Sequence, residues 1–382
     1  MAGIYIHIPF CRKACHYCNF HFSTSTKQKN AMVQAICKEA VLRHVYINEP
    51  VHTVYFGGGT PSLLQIEDLR VITKQLHSLF TITDDAEITL EANPDDITKE
   101  KLSGWKAVGI NRLSIGVQSF FEEDLQWMNR AHDALQALQS VRLAQQTEID
   151  NITIDLIYGT PILTDEKWKQ NVETALSLNI PHLSCYALTV EPKTALDKMI
   201  ALGKKENVDA EKQSRQFELL IQWMNNAGYE HYEISNFAKP NHRSKHNSSY
   251  WQGEPYLGLG PSAHSFNGNS RQWNIANNAL YIGSIEKEIA PFEEERLTST
   301  QQLNEYIMMS LRTMEGLSLQ TVKEKWNSDV SGEILQLSQK FLKEELMMEK
   351  DDHLILTPKG KLFADGIAAE LFAPYTAIYK TV

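Results

Sequence analysis

No stretch of this sequence approaches the roughly 20 consecutive apolar residues that a membrane-spanning helix requires, so no such helix is expected. The amino terminus, MAGIYIHIPFC, has none of the basic segment, long apolar core and small-residue cleavage site of a secretory signal, which predicts a cytoplasmic protein. Basic runs are also missing. With 37 Lys and Arg against 47 Asp and Glu, and a net charge of -10, an electrostatic grip on a nucleic-acid backbone has no visible source. Cysteine is scarce as well. Five thiols, an odd number in a reducing compartment, do not suggest a disulfide framework. Repeats and low-complexity tracts are lacking. What remains is ordinary globular composition, 42% hydrophobic and 22% charged over 382 residues, enough for a barrel-sized domain plus a smaller one.

Short apolar runs recur through the first half at Ile4 to Ile8, Thr53 to Phe56, Glu87 to Glu91, Arg112 to Val117, Ile152 to Ile157 and His182 to Leu188, and each reads as a buried strand. Between them, helical spacing covers Ala31 to Val45, Leu63 to Phe80, Thr98 to Ala107, Ala134 to Gln145 and Glu166 to Leu178. Thr98 fits an N-cap, and Gly109 follows a helix end. Six strands alternating with helices imply a parallel α/β sheet, because a parallel neighbour is reached only by a crossover. Further on, Phe217, Leu220, Ile221 and Met224 share one face of a helix that Gly228 stops. Tyr229 to Asn274, rich in aromatics, histidine and glycine, reads as an ordered loop region. The charged stretch EKEIAPFEEERLTST, Glu286 to Thr300, reads as a domain break, with a small helical or winged-helix-like domain beyond it.

Three of the five cysteines, Cys11, Cys15 and Cys18, fall within eight positions of HIPFCRKACHYCNF as C-x3-C-x2-C. A closed structural zinc site needs a fourth ligand, which His16 or His21 could supply. An iron-sulfur cubane held by three thiolates instead leaves one iron for an exogenous ligand. Both assignments are open from the triplet alone. Cys37 and Cys185 lie in apolar surroundings and read as small core residues.

With Tyr17 directly before its last cysteine, the triplet resembles the signature of the radical SAM superfamily. That resemblance implies a 4Fe-4S cluster whose open iron S-adenosylmethionine chelates through its amino and carboxylate groups, and whose electron splits it to a 5'-deoxyadenosyl radical. Other stations match. In YFGGGTPS, glycines let the backbone approach a ligand; read without the family, such a turn is only a turn. The resemblance makes Gly58, Gly59 and Thr60 the dock for the methionyl amino group. Asp155, inside ITIDLIYG, is costly to bury unless paired, and a structural ion pair with an arginine would also account for it. By resemblance Glu91, Gln118, Arg130 and Asp155 hold the ribose, methionyl group and carboxylate, while Tyr5 and Ala187 are contacts from the first and sixth strands. Cys11, Gly58, Glu91, Gln118 and Ala187 all fall at or just past the carboxyl ends of successive strands, the face on which βα barrels build their sites. The expected fold is therefore the superfamily's partial (β/α)6 barrel, followed by a small C-terminal helical or winged-helix-like domain.

YIHIPFC, FGGGTPS, EANP, GVQSF, DLIYGTP and LTPKGKLFADGI resemble the HemN/HemW branch over nearly the whole chain. The oxygen-independent coproporphyrinogen III oxidases of that branch carry a fourth cysteine two positions after the third, where Phe20 stands here, and a long extension before the cluster motif. Both departures match the branch's heme chaperones. HNSSYW, His246 to Trp251, fits their H-N-x-x-Y-W heme element, implicating His246, Tyr250 and Trp251. By residue type alone, a histidine in an aromatic loop usually packs or hydrogen-bonds. The resemblance implies heme as cargo, an apo-hemoprotein acceptor, for which a respiratory membrane-bound protein is one candidate, and a flavodoxin- or ferredoxin-type electron donor. It implies a monomer or homodimer, and no nucleic acid. The competing function is oxidative decarboxylation of coproporphyrinogen III to protoporphyrinogen IX; a radical enzyme acting on RNA or a peptide ranks below both for want of a basic surface. The expected divisions are a core barrel over 1–230, an aromatic and histidine-rich connection over 231–290, and a C-terminal HemN-type domain over 291–382.

Overall fold

A computed structural model describes residues 2–372. Its main sheet opens with β1 (Ala2–Ile8), β2 (Val51–Gly58), β3 (Ile82–Ala92), β4 (Arg112–Gln118), β5 (Ile152–Tyr158) and β6 (His182–Ala187). These six pair in sequence order and all in parallel, with the expected helices between them at Lys29–Leu42, Ile66–Leu79, Lys99–Ala107, Ala134–Gln146 and Asp165–Ser177. Alternation on each strand divides two surroundings. On β1, Ile4, Ile6 and Ile8 are fully buried in the large apolar core, while Gly3, Tyr5 and His7 take the opposite face. Thr98 caps its helix by accepting from Lys101 N at 3.2 Å, and Gly109 turns at a φ of +95°.

The six strands do not close on each other. β1 pairs on its outer side with β9 (Tyr256–Leu259), and β6 pairs with the antiparallel β8 (Asn236–Ala238), next to β7 (Glu230–Glu233). Beyond β9 come β10 (His264–Phe266), β11 (Ser270–Asn274) and β12 (Phe292–Arg296), giving a 12-stranded sheet around a partial (β/α)6 barrel.

Two sequence expectations are corrected here. Tyr229 to Asn274 is not a loop region: it holds β7 to β11 and the helix Lys245–Trp251. Its strands of three to five residues are too short to show a period. The charged stretch Glu286 to Thr300 precedes a separate core, as expected of a boundary, but it is not an irregular linker. It contains β12, fully exposed and antiparallel to β11; consecutive glutamates suit a sheet edge, where they discourage further strand pairing. The main sheet thus continues through the boundaries expected at 230 and 290.

The remainder has its own apolar core, in which Leu303, Ile307 and Leu311 pack with Val322, Ile334 and Leu354. Helices Ser299–Leu311, Leu319–Lys325, Ser328–Lys343 and Ala364–Glu370 surround a small sheet of β13 (Leu317–Ser318), β14 (Met347–Lys350) and β15 (His353–Leu356), the winged-helix-like arrangement expected. The last ten positions of the expected 291–382 domain lie outside the described residues. Among the described residues no helix is long and apolar enough to cross a membrane.

Candidate functional site

The cysteine loop leaves the carboxyl end of β1 and is pinned at its neck, where Cys11 N donates to Ser23 O at 3.0 Å and Ser23 N to Pro9 O at 2.9 Å. Farther along, His16 N donates to Met128 O at 3.1 Å. All three cysteines stay half-buried. Cys11 Sγ accepts from Thr60 Oγ1 at 3.4 Å, and Cys15 Sγ accepts from Arg130 Nη1 at 3.2 Å. Burial pushes the Cys11 thiol up to about 11 and raises Cys18 as well, each reinforced by its neighbouring cysteines. Those two therefore stay protonated at neutral pH until a metal displaces the proton.

Each histidine open to a zinc site has one ring nitrogen engaged within the protein. His16 Nδ1 lies 3.1 Å from Trp127 O and 3.0 Å from Lys205 Nζ, and His21 Nε2 lies 2.8 Å from Asn278 Oδ1. Among the described residues no three His, Cys, Asp or Glu side chains converge on one point as the ligands of a single ion do.

The glycine turn after β2 lies directly against the neck of this loop. Gly59 N donates to Ile8 O at 2.9 Å and Thr60 N to Phe10 O at 2.7 Å; a Cβ on Gly59 would sit 2.7 Å from both carbonyl oxygens. Gly58 adopts a φ of +102°, and a Cβ there would meet the His7 ring at 2.5 Å. Here the absence of side chains is a steric requirement.

Glu91, at the end of β3, accepts from Tyr55 Oη at 2.8 Å and from Gly58 N at 3.2 Å. Burial, with Asp155 adding to it, pushes its carboxyl up to about 7. Asp155 is raised to about 6 by burial, against hydrogen bonds from Ser184 and Ser114 and the attraction of Arg130 and Arg112. Both arginines act on it from beyond ion-pair distance; Arg112 pairs instead with Glu87 at 3.5 Å. Arg130 reaches across the mouth: besides Cys15, its Nη2 donates to Asn93 Oδ1 and Gly116 O, both at 2.8 Å. Gln118 turns left-handed at a φ of 67° where β4 ends, and a Cβ on Gly116 would approach its Nε2 to 3.0 Å. Tyr17 packs against the cluster of Leu125, Met128, Ile157, Leu188 and Leu196. Ala187 ends β6, paired with Tyr158.

The mouth therefore gathers the thiols, the glycine turn, Glu91, Gln118, Arg130 and Asp155. It also contains residues that motif reading passed over. His7, Tyr55 and Asn93 bridge the stations: His7 Nδ1 lies 3.2 Å from Tyr5 Oη, and Asn93 Nδ2 donates to Thr60 Oγ1 at 3.4 Å. Polar residues at alternate positions of apolar strands, Tyr5 and His7 or Thr53 and Tyr55, are the available signal.

The H-N-x-x-Y-W element lies elsewhere. His246 sits over Gly3 and Thr53, near the amino ends of β1 and β2. It is 1% exposed, with Nδ1 2.7 Å from Thr53 Oγ1 and Nε2 2.8 Å from Tyr250 Oη. Burial holds it neutral, with a pKa of about 3. Trp251 faces the other way, under the Arg312 guanidinium at 5.2 Å. Of the two readings open for His246, packing and hydrogen bonding describe this conformation.

Among known proteins, the radical SAM superfamily pattern matches residues 5–175. Heme chaperone HemW of Bacillus subtilis is 32% identical over 371 residues, 96% of this chain and 98% of that one. The chain belongs to the HemN/HemW branch of the radical SAM superfamily. The HemN C-terminal domain pattern matches residues 297–363, the winged-helix-like part. Heme chaperone HemW of Mycobacterium tuberculosis is 31% identical over 377 residues, 97% of this chain and 94% of that one. Coproporphyrinogen III oxidase (HemN) of Escherichia coli has the same fold, with a TM-score of 0.84 over 97% of this chain and 90% of that one, at 24% identity. The branch thus accounts for both the parallel barrel and the small domain behind it.

Proposed function

We propose that this protein binds heme and hands it to an apo-hemoprotein, carrying a 4Fe-4S cluster on Cys11, Cys15 and Cys18 with S-adenosylmethionine at the open iron. The observation that carries the chaperone reading is Phe20, 67% exposed at the position where the oxidase pattern has its fourth cysteine. Full-length similarity to proteins named heme chaperones supports it. The donor set suits a cubane: three free, half-buried thiols on one loop can each take one iron and leave the fourth open. The guanidinium of Arg130 lies beside Cys15, 3.2 Å from its sulfur.

For S-adenosylmethionine, the Gly58–Thr60 turn allows close approach of the methionyl amino group, and Arg130 offers a counter-charge for its carboxylate. Glu91, ionised, is an acceptor for ribose hydroxyls, with Gln118, Asp155, Tyr5 and Ala187 framing the pocket. When bound, cluster and S-adenosylmethionine supply one-electron chemistry, fed by a flavodoxin- or ferredoxin-type donor. Heme is cargo. Its engagement by His246, Tyr250 and Trp251 requires the helix Lys245–Trp251 to open, since both His246 ring nitrogens are already bonded.

Anaerobically reconstituted protein should take up heme and pass it to an apo-acceptor, with negligible turnover of coproporphyrinogen III under reductant and S-adenosylmethionine. Turnover at an enzymatic rate would replace the chaperone reading by the oxidase one. Cys11→Ala, Cys15→Ala and Cys18→Ala should each lose bound iron and sulfide; retention by all three defeats the ligand assignment. His246→Ala should alter the Soret band of added heme, and an unchanged titration removes that residue from the heme site.

A further inference from the structure

Three rings, His246, Tyr55 and Tyr5, cluster in the barrel interior with planes within 24° of one another. His246 stacks on Tyr55 with centroids 4.9 Å apart and planes at 19°, and Tyr55 on Tyr5 at 6.1 Å and 24°. At the amino end His246 is held on three sides: by Thr53, by Tyr250, and through its backbone N–H donating to Glu87 Oε1 at 3.1 Å. At the other end the Tyr55 hydroxyl supplies one of the two hydrogen bonds that position Glu91, the second coming from the glycine turn at Gly58. The path from the H-N-x-x-Y-W helix to the mouth is therefore two contacts long.

We infer that His246 is a positioning residue for Glu91, acting through Tyr55, so that the helix Lys245–Trp251 and the S-adenosylmethionine end of the barrel are energetically coupled. The inference rests on the reading above in which Glu91 receives S-adenosylmethionine. Withdrawing the imidazole leaves a void beside Tyr55 that the packed strands fill only in part. Tyr55 then has room to leave Glu91, which loses half of its hydrogen bonds. Coupling of this kind is reciprocal. A ligand that draws His246 out of the barrel weakens S-adenosylmethionine binding, and bound S-adenosylmethionine holds His246 in. Iron ligation at His246 would do so directly, because it must break the bond to Thr53 or to Tyr250.

The test is equilibrium dialysis of labelled S-adenosylmethionine against the anaerobically reconstituted full chain, with iron and sulfide content measured on each variant. His246→Ala and Tyr55→Phe should each weaken binding about tenfold, the loss expected for a hydrogen bond to a charged acceptor. Because the two residues act in series, the double variant should bind no more weakly than either single one. His246→Phe, which keeps a ring beneath Tyr55, should recover most of the affinity. Wild-type affinity in His246→Ala with its cluster intact, or losses that multiply in the double variant, overturns the inference. Should His246→Ala fail to load iron, His246→Leu, which fills part of the space without a ring, takes its place; weaker binding is expected, and unchanged binding overturns the coupling. Absence of binding by the wild type sinks the S-adenosylmethionine reading and this inference with it, whereas binding insensitive to His246 sinks the inference alone.

Discussion

Glu39 and Glu91 are two glutamates drawn into the same parallel barrel, one on the helix after β1 and one at the end of β3. Glu39 is fully buried and accepts from Arg43 Nη1 at 3.0 Å, Asn274 Nδ2 at 2.7 Å, Gly260 N at 2.8 Å and Tyr281 Oη at 2.6 Å. Arg43 is satisfied in turn by Gly258 O at 3.1 Å, Ser265 Oγ at 3.0 Å and Gln272 Oε1 at 2.6 Å. This network ties the helix Lys29–Leu42 to β9, β10, β11 and the helix Asn278–Glu286. Among the described residues Glu91 has two donors and no cation within ion-pair distance. Full pairing makes a joint; under-pairing at a mouth lined by glycine leaves acceptor capacity for a ligand.

That contrast breaks most visibly in stability. Glu39→Ala leaves the Arg43 guanidinium buried without its carboxylate, and should cost about 3–5 kcal/mol, read as a fall in the denaturant midpoint. A loss below about 1 kcal/mol would mean that the junction is not a joint. Glu91→Gln should do the reverse. It removes a carboxylate that burial already disfavours, so stability should hold, while affinity for S-adenosylmethionine falls about 10- to 100-fold in dialysis. Equal effects of the two substitutions on stability would erase the distinction.

A smaller effect concerns pH. Glu91 is raised to about 7 from 4.5, and Asp155 to about 6 from 3.8, so the folded chain binds more protons than the unfolded one between pH 4 and 7. Unfolding free energy should therefore decline as pH rises through that window and level off above it. Denaturant midpoints at pH 5 and 7.5 measure the decline. Glu91→Gln should flatten the slope, and an unchanged slope would assign it to other groups.

The same contrast explains which parts were legible in the sequence. Strands β1 to β6 announce themselves because a parallel strand buried against helices is an apolar run, and their carboxyl ends locate Cys11, Gly58, Glu91 and Gln118. The Glu39 joint is invisible beforehand. Apart from Arg43, its partners Gly260, Asn274 and Tyr281 lie more than 200 positions away, just past β9, on β11 and on the helix Asn278–Glu286, and strands this short carry no period. His246 was mistaken for a loop residue on the same ground, since nothing in HNSSYW says that Thr53 and Glu87 wait for it. Charge misled at β12, where an edge strand and a linker share a composition.

The finest distinction between the two carboxylates is the worth of a single tyrosine. Tyr281→Phe removes one donor of the four around Glu39 and leaves its ion pair with Arg43. The remaining three still satisfy the carboxylate, so the cost should be about 1–2 kcal/mol, well under that of Glu39→Ala. Affinity for S-adenosylmethionine should not change, because the bond lies on the far side of β1 from Glu91. Tyr55→Phe, which removes one donor of only two, should show the opposite balance: small in the denaturant midpoint, large in ligand affinity. If both tyrosines behave alike in the two assays, donor count does not separate joint from site in this barrel.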